Sequence, residues 1–201
     1  MMKNEKKNKI IWVDLDEVLS ETIDYLLEYN NYMIWSYSIK REDVKDYYIH
    51  RMDHLDITEE LAVDWFRKPM LNDIDKKQII PIKWSKNKLL ELKDKWHSLV
   101  IITARTEDVF WEYTKKWINH HFEWIFDDII FANHFHKESK EKHQICMEMW
   151  INIMIEDNYD YAMWLSKSWV KTYLLEKPWN NWQNDYHDNI IKIMSWDDLN
   201  I

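Results

Sequence analysis

The sequence predicts an α/β fold: a Rossmann-like parallel sheet with a helical segment inserted between its first and second strands. Three observations predict it. Short apolar runs alternate with helical patterns along the chain, the signature of βαβ units and a parallel sheet. The first two runs stand about 80 residues apart, far beyond an ordinary crossover, so an insertion is the economical reading. Acidic and hydroxyl residues follow directly on the apolar runs, where open α/β sheets carry their sites.

The elements follow in order. Ile10 to Val13 reads as a buried strand, and Glu21 to Tyr29 as a helix. Positions 32–80 are charged and aromatic, with a helical stretch from Thr58 to Phe66. Pro81 precedes a helix over Lys86 to Lys95, and Ser98 to Ile102 is the second strand. A helix over Asp108 to His120 leads to a third strand, Ile129 to Ala132. Then come a helix (Glu141 to Met149), a strand (Ile151 to Ile155), a helix (Tyr159 to Lys167) and a strand (Val170 to Leu175). Ile190 to Met194 reads as a short edge strand. The expected organisation is a core of residues 1–20 and 81–201 with a helical cap formed by residues 21–80.

Composition narrows the function. The 201 residues are 46% hydrophobic, enough for one core with a modest insertion. A net charge of −9 argues against a nucleic-acid binder, which needs basic surface. The single cysteine, Cys146, fits a reducing compartment, and neither a signal peptide nor a membrane span is legible, so a cytoplasmic location is expected.

The strand ends carry the chemistry. Asp14 and Asp16 flank Leu15 after the first strand; at period two their carboxylates share one side of an extended chain. One can attack phosphorus while the other serves as general acid and base; a solvated acidic turn is the plainer alternative. After the second strand, Thr103-Ala104-Arg105-Thr106 offers a hydroxyl and free N–H groups at a helix start, either an anion site or a simple cap. Glu156 and Asp157 end the fourth strand, and adjacent buried acids there are tolerated if a cation joins them. Between the third and fourth strands, one of Lys137, Lys140 and Lys142 can reach a phosphate; the others belong on a solvated face. His120-His121 and His134-Phe135-His136 lack a third partner at ligand spacing and are read as surface residues.

Taken together, IIWVDLDEV, VIITART, the lysine-bearing helix and INIMIEDN resemble the four motifs of the haloacid dehalogenase (HAD) superfamily. The helical insertion after DLDEVLSETID, the ITAR run and KPWN after the fifth strand resemble its 5′(3′)-deoxyribonucleotidase-like group. The resemblance implies a Mg²⁺-dependent phosphatase acting through an aspartyl-phosphate on a small phosphomonoester, a nucleoside monophosphate first of all. It implies Asp14 as nucleophile and Asp16 as acid/base, with Thr103, the N–H of Ala104 and Lys142 (Lys140 as second choice) on the phosphate. Mg²⁺ would be held by Asp14, the carbonyl of Asp16 and Asp157, with Glu156 nearby. Glu17 stands where many HAD enzymes have glycine, and Glu-Asp replaces Asp-Asp in the fourth motif. The alternatives are a sugar-phosphate or other metabolite phosphatase and a non-catalytic HAD-like binding protein. No polymeric nucleic acid or membrane is expected as partner; a homodimer is compatible with the reading.

Tryptophan usage is abnormal. The chain has 14 tryptophans and no glycine, where ordinary usage gives about 14 glycines. Trp96, Trp150 and Trp169 stand at helix-to-strand junctions, where glycine normally takes a left-handed backbone. Trp84 and Trp35 stand in turns, whereas Trp65, Trp179 and Trp196 look like ordinary tryptophans. The preferred hypothesis is that many such positions are glycine in the source protein, encoded by UGA and rendered as tryptophan.

Overall fold

The computed structural model describes residues 8–33, 39–52, 57–72, 79–133 and 142–201. Lys137, Lys140, Trp35 and the His134–His136 run lie outside them. Six parallel strands form one sheet: β1 (Ile10–Val13), β2 (Ser98–Thr103), β3 (Asp128–Phe131), β4 (Ile153–Glu156), β5 (Lys171–Leu175) and β6 (Ile190–Ile193). Their order is β3-β2-β1-β4-β5-β6, so the chain runs outward in one direction from β1, then in the other. The order reverses between β1 and β4, and their carboxyl ends define the crevice where such sheets bind ligands.

Strand periodicity builds two apolar layers. Ile11, Val13, Leu99, Ile101, Ile153, Ile155, Tyr173 and Leu175 belong to one buried cluster. The residues between them, including Trp12, Val100, Ile102 and Met154, belong to a second. Burial on both faces explains why these strands read as continuous apolar runs rather than alternating ones.

The helices are α1 (Thr22–Met33), α2 (Glu59–Asn72), α3 (Ser85–Asp94), α4 (Glu107–His121), α5 (Lys142–Glu148) and α6 (Tyr159–Lys167). Between β1 and α3 lie α1, α2 and two short 3₁₀ turns, Arg41–Asp43 and Ile49–Arg51. Leu27, Ile39, Val44, Met52 and Trp65 form a separate apolar cluster there, which Trp179 joins from the loop after β5. No helix among the described residues is long and apolar enough to cross a membrane.

Three helices end in the same way. After α3, the Trp96 N–H donates to Lys93 and the His97 N–H to Leu92. Trp150 and Ile151 repeat the pattern onto Met147 and Cys146, and Trp169 and Val170 onto Ser166 and Leu165. This is the Schellman arrangement, in which the residue after the cap is left-handed and glycine is the usual occupant. Here tryptophan has φ of 65°, 54° and 68° at the three sites. Ile151 and Val170, read from sequence as strand residues, are taken up by these caps, so β4 and β5 start later.

Trp84 (φ 68°) and Trp124 (φ 63°) are the third residues of turns closed by N–H bonds from Ser85 to Ile82 and from Ile125 to Phe122. Trp124 was not singled out from the sequence because no helix-to-strand junction marks it. Trp96, Trp124, Trp150 and Trp169 are 80–88% exposed, so their indoles bury almost nothing in return for a left-handed backbone. Trp65, Trp179 and Trp196 are buried, as their sequence context suggested.

Candidate active site

The loop after β1 is a tight turn. Leu19 and Ser20 donate their N–H groups to the Leu15 carbonyl, and the Glu17 N–H donates to the Ser20 carbonyl. Glu17 takes φ 65°, a conformation glycine adopts without cost and a residue with Cβ does not. Its side chain is buried: one oxygen accepts the Ile23 N–H at the start of α1, and the other meets Arg41 and, at 3.5 Å, Lys177. Arg41 also pairs with Asp24 at 3.2 Å. Glu17 thus ties the segment between β1 and β2 to the loop after β5.

Asp14 is buried at the end of β1, with its N–H bonded to the Ile155 carbonyl of β4. Lys142, the first residue of α5, donates to Asp14 Oδ1 at 2.5 Å and to Glu156 Oε2 at 2.9 Å. Both ion pairs are almost fully shielded from solvent. Burial works to deprotonate Lys142, but the carboxylates of Asp14 and Glu156 outweigh it and hold the ammonium charged. Burial, helped by Glu156 and Asp16, pushes the Asp14 carboxyl up to about 8 against the pull of Lys142. One cation is too few for the acids gathered here.

Asp14, Glu156 and Asp157 each offer an oxygen within 4.8 Å of the others. Both Glu156 oxygens are committed, one to Lys142 and one to the Asn158 N–H at 3.1 Å. Asp157 differs. Its Oδ2 accepts the Trp179 indole N–H at 2.9 Å, but its buried Oδ1 has no hydrogen-bond partner among the described residues. Burial, then Glu156 and Asp14, raise the Asp157 carboxyl well above its usual range. An orphaned buried carboxylate oxygen beside two more acids is what a divalent cation with oxygen ligands would satisfy. The donor set fits such an ion, with Asp157 Oδ1 and Asp14 as its open positions.

Thr103 ends β2, fully buried, and its hydroxyl accepts the Arg105 N–H at 3.2 Å. Asp16 is only partly buried and is gripped by three donors. Arg105 Nε reaches its Oδ2 at 3.0 Å and Arg105 Nη2 its Oδ1 at 2.7 Å; Thr22 donates to Oδ1 at 2.6 Å. These partners, with Trp179, are features the sequence reading missed. The available signals were an arginine two residues after the strand-end hydroxyl and a threonine six residues after Asp16.

A cavity of about 360 Å³ opens beside Asp16, Ala104 and Arg105 and runs under the segment between β1 and α3. Its walls include Leu26, Tyr47, Tyr48, Phe66 and Trp179, and are mainly apolar. Tyr47 also faces the acids: burial, then Asp157, Asp14 and Glu156, hold its phenol protonated. Of the residues singled out from sequence, Asp14, Lys142, Glu156 and Asp157 meet in one buried cluster, while Asp16 and Ala104 line the adjoining cavity. Cys146 is buried away from solvent and its thiol is pushed up to about 12, chiefly by burial.

No family model matches the chain. A curated nucleotidase of Clostridium acetobutylicum is 25% identical over 94% of this chain and 90% of its own length. The crystal structure of CbbY from Rhodobacter sphaeroides in complex with phosphate superposes with TM-score 0.64 at 12% identity, covering 96% of both chains. A haloacid dehalogenase-like hydrolase of Streptococcus pneumoniae gives TM-score 0.59 at 17% identity, covering 91% of this chain and 93% of its own.

Proposed function

The fold is that of the HAD superfamily hydrolases, and on it we propose that this chain is a Mg²⁺-dependent phosphatase that hydrolyses a small phosphomonoester, a nucleoside monophosphate first of all, through an aspartyl-phosphate on Asp14. The observation that carries the reading is the buried set of Asp14, Lys142, Glu156 and Asp157 at the strand ends, with Asp14 two residues in sequence from Asp16, which lines a mainly apolar cavity. Residues 21–80 act in it as a cap that supplies most of the cavity wall.

The residues divide the work as follows. Asp14 is the nucleophile: its carboxylate oxygen forms a bond to phosphorus as the bond from phosphorus to the leaving oxygen breaks. Asp16 gives the leaving oxygen its proton. It then accepts a proton from water, whose oxygen bonds to phosphorus as the bond to Asp14 breaks, releasing phosphate and restoring the enzyme. Thr103, the N–H of Ala104 and Lys142 hold the phosphoryl oxygens, and Lys142 neutralises Asp14 for the approach of an anionic substrate. Asp14, Asp157 and the carbonyl of Asp16 would hold Mg²⁺, with Glu156 positioned behind them. When bound, the ion draws charge from the phosphoryl oxygens and shields the two anions from each other.

A nucleotide is favoured by two observations. The curated relative is a nucleotidase. The cavity offers Tyr47, Tyr48 and Phe66, side chains against which a planar base can stack. The test is phosphate release from a panel of nucleoside monophosphates and sugar phosphates, with Mg²⁺ and with EDTA. Preference for nucleotides with loss in EDTA is expected; preference for sugar phosphates moves the substrate class. No release from any member removes the phosphatase reading.

A further inference from the structure

We propose that Arg105 is the positioning residue for Asp16, fixing one carboxylate oxygen as an anchor and presenting the other to the reacting group; the proposal rests on the acid/base role of Asp16 given above. The geometry is specific. Asp16 Oδ1 receives two donors, Arg105 Nη2 at 2.7 Å and the Thr22 hydroxyl at 2.6 Å. A carboxylate oxygen has about two lone-pair sites, so Oδ1 is fully used. Among the described residues Oδ2 receives only Arg105 Nε, at 3.0 Å, and keeps one site open. Both Asp16 and Arg105 border the cavity, so the open site is the one that can serve a leaving oxygen or a water there.

The guanidinium is itself held. Arg105 is buried, and its Nη1 donates to the Thr114 hydroxyl on α4 at 3.0 Å. Its Cζ lies 5.6 Å from the Tyr113 ring centroid. The arginine therefore links α4, through Thr114, to the loop after β1, through Asp16, which lies 89 residues before it in the chain. A bidentate fork fixes the carboxylate plane as well as its distance, which a lysine cannot do. Three of its five guanidinium N–H groups are turned toward Asp16 and Thr114, and it is through Asp16 that Arg105 acts on the reaction.

Leaving-group dependence tests this. p-Nitrophenyl phosphate departs as a stabilised anion and needs no proton, whereas an alkyl phosphate does; hydrolysis of the aspartyl-phosphate needs the base with either. With Mg²⁺ present, Arg105→Lys should keep a stoichiometric burst of nitrophenolate at the wild-type rate. Steady turnover should fall about 10²-fold, the scale of a misplaced catalytic group. With an alkyl phosphate the burst should vanish, and with p-nitrophenyl phosphate KM should fall in step with kcat, leaving kcat/KM at the wild-type value. Arg105→Ala should regain turnover with added guanidinium and not with ammonium. Thr114→Val, a milder change, should show the same split at smaller size, which keeps the test open if the Arg105 variants fold poorly. A raised KM with kcat preserved would make Arg105 a substrate ligand and overturn the proposal. Equal losses for both substrates and both phases, tracking a lowered Tm, would make it merely structural and overturn it too. A wild-type chain without turnover removes the phosphatase reading itself, which the variants then cannot rescue.

Discussion

The Lys142 ammonium lies 2.5 Å from Asp14 Oδ1 and 2.9 Å from Glu156 Oε2, joining the start of α5 to the ends of β1 and β4 inside the protein. Removing one partner of a buried pair leaves uncompensated charge, at a cost of about 3–5 kcal/mol. Lys142→Met should therefore lower the denaturation midpoint measurably in metal-free buffer. Unchanged stability in urea titration would mean the pairs contribute nothing to the fold.

The two acids that end β4 should differ toward a cation. Both Glu156 oxygens accept protein donors, whereas Asp157 Oδ1 has none among the described residues. Calorimetry with Mg²⁺ should show Asp157→Ala losing binding and Glu156→Gln losing less. Equal affinity of Asp157→Ala and the parent chain would take the ion away from Asp157.

Trp96, Trp150 and Trp169 hold the left-handed position of three Schellman caps, and Trp124 that of a turn. Each left-handed residue with a Cβ costs about 1 kcal/mol or more. Replacing the four by glycine should raise Tm, since the exposed indoles contribute little packing. Reading the source gene tests the recoding hypothesis: UGA at these codons, with a native mass lower by the tryptophan-to-glycine difference at each, is expected. UGG codons, or tryptophan in the native protein, would end it.

Cys146 is buried and its thiol is pushed up to about 12, so the thiolate is scarce near neutrality. Iodoacetamide at pH 8 should label the native protein far more slowly than the urea-unfolded one. The sign follows from the raised value: labelling should accelerate as pH rises toward 12. Rapid labelling at pH 8 would place the thiol at the surface.

The sheet was legible because its central strands β1, β2 and β4 fall in contiguous apolar runs buried on both faces, as in INIMI and SLVII. The strand-end residues were legible because they adjoin those runs, so Asp14, Thr103, Glu156 and Asp157 needed no tertiary knowledge. Contacts made by long side chains across loops were not. Arg105 meets Asp16 across 89 residues and Trp179 meets Asp157 across 22; although Arg105 follows the strand-end hydroxyl, nothing local names its partner or that of Trp179. The starts of β4 and β5 were read early because Ile151 and Val170 are apolar, yet their N–H groups close helix caps. Helix α2 runs past the expected end at Phe66 to Asn72, with Pro69 inside it.

The central claim is that Asp14 takes the phosphoryl group. Phosphate release by Asp14→Asn, measured beside the parent chain on the best substrate of the panel with Mg²⁺ present, tests it most directly. Circular dichroism of both proteins confirms that the fold is kept. The amide cannot attack phosphorus, so release should fall to the uncatalysed background, and acid-quenched mass spectrometry should find phosphate on Asp14 only in the parent. Release from Asp14→Asn near the parent rate, with the fold intact, would contradict the account.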